Sequence, residues 1–154
     1  MITVPFNKAT TLGSEESSVI DAIRSGRLAG GGAYGQRCEE RARDLLGQGN
    51  VLLTSSGTHA LEMAAMLLDL LQGDEVIMPS FTFTSTATAF VLHGARPVFV
   101  DVRPDTLNID ERRVEAAITA RTRAIVVVHY GGVACQMDVL TEMASAHGVA
   151  VIED

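Results

Sequence analysis

Val51-Leu52-Leu53-Thr54-Ser55-Ser56-Gly57-Thr58-His59-Ala60-Leu61 is the stretch that decides the fold of this chain. Its apolar start predicts a short buried strand, its hydroxyl-rich middle a turn, and its end the beginning of an amphipathic helix. Such a helix start can bind an anion, because its first amides are unpaired and its dipole favours negative charge. Gly57 would let a ligand approach the backbone closely, and Ser55, Ser56 and Thr58 would add hydroxyl donors. The alternative is that Ser56 or Thr58 only caps the helix.

Strands and helices alternate from residue 51 onward. After the strand at 51–54, further strands are predicted at Glu75–Pro79, Arg96–Val102, Ala124–Tyr130 and Val149–Ile152, with a helix in each interval. This alternation indicates an α/β fold, with a mostly parallel sheet and flanking helices joined by right-handed crossovers. Ligands of such sheets bind at the carboxyl ends of the strands. Residues 51–154 are therefore expected to form a ligand-binding domain.

Residues 1–50 are interpreted as an N-terminal helical arm. Helices are predicted at Ser14–Ser25 and at about Gln36–Leu46. Gly30, Gly32 and Gly35 between them spell G-x-G-x-x-G, which indicates dinucleotide binding only when it follows a strand and opens a helix. Here it follows a helix, so we interpret it as a loop. A nicotinamide-dependent oxidoreductase would depend on this pattern alone.

Composition limits the classes of function. The chain has 154 residues, of which 47% are hydrophobic and 20% charged, so it is too apolar for a disordered protein. Its net charge of −7 and its scattered arginines argue against nucleic acid as a partner. No run is long enough for a membrane span, and the N-terminus lacks a signal-peptide pattern. Cys38 and Cys135 match no metal or disulfide spacing, so we expect free thiols, no metal and a cytoplasmic location.

The predicted strand ends bring polar and aromatic residues to one edge of the sheet. They are Ser55–Thr58, Ser80–Phe83, His129 with Tyr130, and Glu153 with Asp154. An anion site, an aromatic ring and a carboxylate on one edge point to a planar, phosphorylated cofactor with a ring nitrogen. This interpretation requires Thr58 and Asp154 to lie on the same side of the sheet.

Four motifs carry a resemblance to a known family. They are Ser-Gly-Thr-His-Ala-Leu-Glu-Met-Ala-Ala at 56–65, Gly-Asp-Glu-Val-Ile-Met-Pro-Ser-Phe-Thr-Phe at 73–83, Phe-Val-Asp-Val-Arg-Pro-Asp-Thr-Leu-Asn-Ile-Asp at 99–110, and Val-His-Tyr-Gly-Gly-Val-Ala-Cys at 128–135. With them the chain resembles the N-terminal portion of the DegT/StrS sugar-nucleotide aminotransferases, which depend on pyridoxal phosphate. Within that family it is most similar to the transaminases of dTDP-4-oxo-6-deoxyglucose. The resemblance implies the first part of an aspartate-aminotransferase-like (PLP fold type I) large domain.

The resemblance also implies roles for particular residues. Gly57 and Thr58, with Ser56, would hold the cofactor phosphate; Phe83 would stack on the pyridine ring; and Asp154 would pair with the ring nitrogen. An ionised aspartate beside that nitrogen keeps it protonated, which makes the ring an electron sink. On the substrate side the resemblance suggests His129 and Tyr130, and more weakly Gly31 and Gly32. The alternatives are a core position for Phe83, a structural role for His129, and Asp154 as a mere chain-end residue.

The implied activity is transfer of an amino group from glutamate to the 4-keto carbon of a dTDP-4-keto-6-deoxy sugar. Such a reaction serves the synthesis of cell-surface polysaccharides such as lipopolysaccharide or enterobacterial common antigen. The implied partners are a nucleotide sugar, an amino-acid donor and a second copy of the chain in a homodimer. Family members bind the cofactor covalently through a lysine that follows this region. Lys8 is the sole lysine here, so we expect a truncated, inactive chain with weak or non-covalent cofactor binding. The alternative is a non-catalytic α/β module that binds a phosphorylated ligand or a partner.

Overall fold

The structure, a computed structural model, describes residue 5, residues 8–47 and residues 49–154. It divides into two compact units, Met1–Leu53 and Thr54–Asp154. Parts of the expected arm, at residues 1–4, 6–7 and 48, lie outside the described residues. Within the described ranges, no helix has the length and apolar character needed to cross a membrane.

The first unit contains two helices, α1 (Glu15–Arg24) and α2 (Ala33–Leu46). Both were predicted, and α2 begins three residues earlier than expected. Acidic residues occupy the first turn of α1, where the helix dipole favours them. Gly32 is the N-cap of α2, and the segment before it follows a helix rather than a strand. Gly30 and Gly32 therefore lie before α2, as the loop interpretation expected, whereas Gly35 lies inside α2, so that interpretation is wrong for this glycine. The pattern does not follow a strand, as a dinucleotide fingerprint requires.

The second unit is an α/β domain with a four-stranded, all-parallel sheet. Its elements in chain order are α3 (Gly57–Leu67), β1 (Glu75–Pro79), α4 (Thr84–Val91), β2 (Arg96–Val100), α5 (Glu111–Ala117), β3 (Thr122–Val127), a 3-10 turn (Tyr130–Gly132), α6 (Met137–His147) and β4 (Ala150–Glu153). The strand order is β2-β1-β3-β4. The predicted α/β class, with a mostly parallel sheet and flanking helices, is confirmed.

Two hydrophobic clusters cover the two faces of the sheet. On one face Leu61 and Ala65 of α3 and Phe90 of α4 pack against alternate strand residues such as Met78 and Val126. On the other face Val114 of α5 and Leu140 of α6 pack against the intervening ones, such as Ile77 and Ile125. The core of β1 and β3 is fully buried on both faces, which explains their uninterrupted apolar sequences.

The predicted strand at 51–54 is wrong. These residues pair with no strand within the described part of the chain, and the side chains of Leu52 and Leu53 are 64% and 53% exposed. Three apolar residues resemble a buried strand in sequence, but a strand exists only if a neighbour supplies hydrogen bonds. The helix that follows, α3, ends at Leu67, and the side chains of Met66 and Leu67 are exposed.

Candidate functional site

A cleft of about 410 Å³ lies at the carboxyl edge of the sheet. It is lined by Phe81, Thr82, Phe83, Val128, Tyr130 and Asp154. These residues follow β1, β3 and β4, which are consecutive neighbours in the sheet. Parallel strands place their carboxyl ends together, so residues far apart in sequence meet here. The volume falls within the range of small-molecule sites, roughly 300–1,000 Å³.

Asp154 is held in the cleft by the sheet and by α4. Its amide donates to Val127 O (2.9 Å), which continues the β3–β4 pairing by one residue. Its Oδ2 accepts from Thr86 Oγ1 (2.6 Å). Because the single proton of Thr86 goes to Asp154, Thr86 Oγ1 accepts from Thr82 Oγ1 (2.8 Å). Among the described residues only Thr86 donates to this carboxylate, and Oδ1 is left for a ligand.

Phe83 is an exposed aromatic residue rather than a core residue. It is the N-cap residue of α4, and its side chain is 75% exposed on the wall of the cleft. This exposure rules out the core alternative. Phe81 and Tyr130 form an aromatic pair beside Phe83, with ring centroids 5.1 Å apart and planes at 67°. Such an edge-to-face contact is a favoured geometry and orders both rings.

The N-terminus of α3 carries the hydroxyl-rich turn. Ser56 caps the helix, since its Oγ accepts from His59 N (3.2 Å), and its role at the cofactor phosphate stays a prediction. Ser55 Oγ lies 2.6 Å from His59 Nδ1. The first intrahelical bond runs from Ala60 N to Ser56 O (3.1 Å), which leaves the amides of Gly57 and Thr58 ahead of the helical ladder. A Cβ added at Gly57 would meet no atom within 4 Å, so the space before these amides is open.

Thr58 and Asp154 lie on the same side of the sheet. α3 packs on the face that also contacts Ile152. Successive strand residues alternate between faces, so Asp154 belongs to the face of Ile152, as its bond to α4 also shows. A short connection leads from the end of α3 to the start of β1, so α3 begins near the carboxyl edge. The geometric requirement stated from the sequence is met.

His129 and Glu153 link the ends of β3 and β4. His129 Nδ1 accepts from Cys135 N (3.1 Å), so its proton is on Nε2, which donates to Glu153 Oε2 (2.8 Å). These hydrogen bonds tie the two strand ends together. His129 directly precedes Tyr130 in sequence, and Glu153 directly precedes Asp154. Cys135 is buried, and desolvation raises the pKa of its thiol. Gly31 and Gly32 belong to the first unit, where Gly31 takes a left-handed conformation (φ +74°), and their substrate role stays a prediction.

Sequence reasoning missed four residues that form the cleft or hold its carboxylate. They are Phe81, Thr82, Thr86 and Val128. Phe81 and Thr82 stood in a segment already assigned to a strand end, but within it only Phe83 was singled out, and by the family resemblance. Thr86 carried one usable signal, because a threonine in the first turn of a crossover helix can reach a neighbouring strand end.

The sequence profile of the DegT/DnrJ/EryC1/StrS aminotransferase family matches residues 11–154. The chain belongs to this family. The spore coat polysaccharide biosynthesis protein SpsC of Bacillus subtilis (strain 168) is 40% identical over 144 residues, which are 93% of this chain and 37% of SpsC. The chain thus spans little more than a third of that relative's length.

Solved structures of similar proteins share the fold. NtdA from Bacillus subtilis with bound cofactor PMP is 33% identical, with a TM-score of 0.86 over 93% of this chain and 33% of NtdA. The E. coli GDP-4-keto-6-deoxy-D-mannose-3-dehydratase with bound hydrated PLP is 26% identical, with a TM-score of 0.91 over 100% of this chain and 41% of the dehydratase. These two structures hold PMP or PLP, and this chain has the fold of part of each, which confirms the PLP fold type I class expected from the resemblance.

Proposed function

We propose that the cleft binds pyridoxal phosphate, with the ring between Phe83 and Asp154 and the phosphate at Gly57 and Thr58. The bond between Thr86 and Asp154 carries this proposal, because it fixes an ionisable carboxylate at the base of an aromatic-lined cleft. The donor set fits the cofactor. A pyridine ring offers a flat face and one basic nitrogen, while a phosphate needs amides and hydroxyls.

Each residue has a distinct task in this arrangement. Asp154 Oδ1 would hold a proton on the ring nitrogen, since an adjacent carboxylate favours the charged form of a base. The exposed ring of Phe83 would press on one face of the cofactor without competing for hydrogen bonds. Ser56 would contribute through the helix cap, which orients the amides of Gly57 and Thr58. When bound, the cofactor supplies the electron sink for chemistry at an amino-bearing carbon.

The proposed reaction is transfer of an amino group from glutamate to the 4-keto carbon of a dTDP-4-keto-6-deoxy sugar. SpsC, a polysaccharide biosynthesis protein, supports a sugar substrate, and family membership supports amino transfer. The pathway would be synthesis of a cell-surface polysaccharide, in the cytoplasm, by a homodimer. Tyr130, which lines the cleft, would face the substrate. His129 would support this side of the site by holding the ends of β3 and β4 together.

The second candidate is a non-catalytic module that binds a phosphorylated ligand. One observation favours it: Lys8, in the first unit, is the only lysine in 154 residues. Covalent attachment of the cofactor needs a lysine amine, so we propose that this chain by itself binds pyridoxal phosphate reversibly and is inactive.

Cofactor binding can be tested by titrating the chain with pyridoxal phosphate and, in parallel, with NAD. We expect saturable binding of pyridoxal phosphate alone. Phe83→Ala should weaken it about fivefold, and Asp154→Asn about tenfold or more. The matched controls are Phe99→Ala and Asp101→Asn, which remove an exposed ring and an exposed carboxylate outside the cleft. Equal losses in the controls, or preferential binding of NAD, would contradict the proposal.

The chemical step is tested by incubating the chain with glutamate, pyridoxal phosphate and dTDP-4-keto-6-deoxyglucose. We expect no amino sugar from the chain alone and no specific internal residue labelled after borohydride reduction. A chimera in which residues 11–154 replace the matched segment of SpsC should bind the cofactor and form the 4-amino sugar. The same assay detects loss of water at C3, the reaction named for the E. coli dehydratase, and that product would redirect the assignment. Sedimentation of the chimera tests the homodimer.

A further inference from the structure

Asn108 is a buried amide that reaches from one loop into another. It lies between β2 and α5, and its side chain is 2% exposed. Its Oδ1 accepts from Tyr130 N (2.9 Å), and its Nδ2 donates to Val133 O (2.8 Å). One side chain therefore holds both ends of the turn that carries Tyr130.

The loop that presents Asn108 is itself constrained. Val102 and Ile109 form an isolated antiparallel bridge, and inside it Arg103 N donates to Asn108 O (2.8 Å). Leu107 takes a left-handed conformation (φ +61°), which is uncommon for a residue with a side chain. Its amide donates to Arg103 O (2.8 Å). The surrounding bonds hold this conformation, and it turns Asn108 inward.

The turn that receives Asn108 contains two glycines, and its own backbone hydrogen bonds run from Gly132 N to His129 O and from Val133 N to Tyr130 O (both 3.1 Å). Tyr130 is followed by Gly131 and Gly132, both with positive φ (+61° and +80°). Glycines leave the backbone many alternatives, so an outside contact has to select one. The side-chain amide of Asn108 offers both an acceptor for Tyr130 N–H and a donor for Val133 O at neutral charge.

We propose that Asn108 is a positioning residue that sets the Tyr130 wall of the cleft. By fixing the backbone of Tyr130, it places the ring against Phe81 and narrows the mouth through which a ligand enters. The identity of that ligand rests on the proposed function. The placement of Tyr130 does not depend on the proposed function, and it is measured separately.

The experiment uses fluorine NMR of the chain labelled with 3-fluorotyrosine. The chain has two tyrosines and no tryptophan, so Tyr34→Phe leaves one resonance, that of Tyr130. In this background Asn108→Ala should shift and broaden the resonance and weaken pyridoxal phosphate binding about fivefold. The matched control is Thr106→Ala, in the same loop, whose hydroxyl contacts only Asn108 N (3.3 Å). It should leave the resonance in place and change binding less than about twofold.

A measurement on the unaltered chain covers the case in which Asn108→Ala does not fold. Tyr130 N–H lies outside every regular hydrogen-bond ladder of the described residues, so its protection from hydrogen exchange should come from Asn108. Exchange of this amide at the rate of an open loop would overturn the proposal, as would an unmoved Tyr130 resonance in folded Asn108→Ala. A chain that shows the protected amide but binds no pyridoxal phosphate would refute the proposed function and leave the positioning role of Asn108 supported.

Discussion

Thr86 Oγ1 donates to Asp154 Oδ2 across 2.6 Å, although the two residues are 68 positions apart. Thr86 is fully buried in the first turn of α4, whereas Asp154 is exposed at the end of β4. The bond joins the carboxylate to the helix that also carries Phe83 at its start. The aromatic wall and the acid of the cleft are therefore fixed relative to one another by one hydroxyl group.

Replacing Thr86 by valine should separate its role in the site from its role in packing. Valine keeps the shape of threonine but has no hydroxyl group to donate to Asp154. Loss of this hydrogen bond should cost about 1 kcal/mol, and the affinity for the cofactor should fall roughly fivefold. Pyridoxal phosphate titration measures the loss. Thr88→Val is the control, because Thr88 Oγ1 bonds only to carbonyls of its own helix. Equal affinities of the two variants would show that Thr86 does not act on the cofactor.

The start of α3 can be tested for anion binding separately from helix capping. A Cβ at Gly57 meets open space, so Gly57→Ala should leave the free energy of unfolding within about 0.5 kcal/mol of the original value. It should nevertheless weaken binding of pyridoxal phosphate, because the methyl group occupies the path of the phosphate. Ser56→Ala should instead lower the free energy of unfolding by about 1 kcal/mol, because α3 loses its cap. Urea unfolding and titration of both variants decide between the two roles.

His129 makes two contacts that can be removed one at a time. Asparagine at this position presents an oxygen near the place of Nδ1 and can still accept from Cys135 N, whereas glutamine reaches the place of Nε2 and can still donate to Glu153. We expect His129→Gln to loosen the turn at 130–135 more than His129→Asn, because it leaves the buried backbone donor of Cys135 unpaired. Hydrogen exchange at Cys135 measures this. Faster exchange at Cys135 in His129→Asn than in His129→Gln would contradict this prediction.

Glu75 makes the stability of the domain dependent on pH. Its carboxylate is buried at the amino edge of the sheet, where hydrogen bonds from Thr119, Arg96 and Arg121 lower its pKa from 4.5 to about 2. Because the pKa of Glu75 is lower in the folded chain than in the unfolded chain, its ionised carboxylate stabilises the folded state at a pH above the unfolded-chain pKa. This stabilisation is lost as the pH falls from about 4.5 to about 2.

Glu75→Gln should therefore cost about 2 kcal/mol at pH 7 and little at pH 2, since glutamine cannot supply the charge. Urea unfolding of the original chain and of this variant across the pH range gives the difference. Glu115→Gln on α5, where the glutamate is exposed, serves as the control. A difference between the original chain and Glu75→Gln that stays constant at every pH would contradict the role of charge.

The alternation of apolar runs and helical periods predicted β1 to β4. β3 is the clearest case, because a parallel strand buried on both faces has a continuous β-branched sequence. The same reasoning failed at 51–54. An apolar triplet has no intrinsic strand partner, and Leu52 and Leu53 are exposed in the described fold. Local pattern determines which residues can form a strand, but pairing decides whether they do.

The candidate site likewise has features that the sequence determined and features that only the tertiary structure decided. The sequence by itself determined the α/β class, the family, the helix start at Gly57, and the strand-end segments that contain Phe83, Tyr130 and Asp154, because these depend on local period and on motif identity. Only the tertiary structure decided that Thr86 holds Asp154, that His129 bonds to Glu153, and that Asn108 anchors the turn of Tyr130. Each of these contacts joins residues more than twenty positions apart, and the order of strands in the sheet, which no local pattern encodes, brings them together.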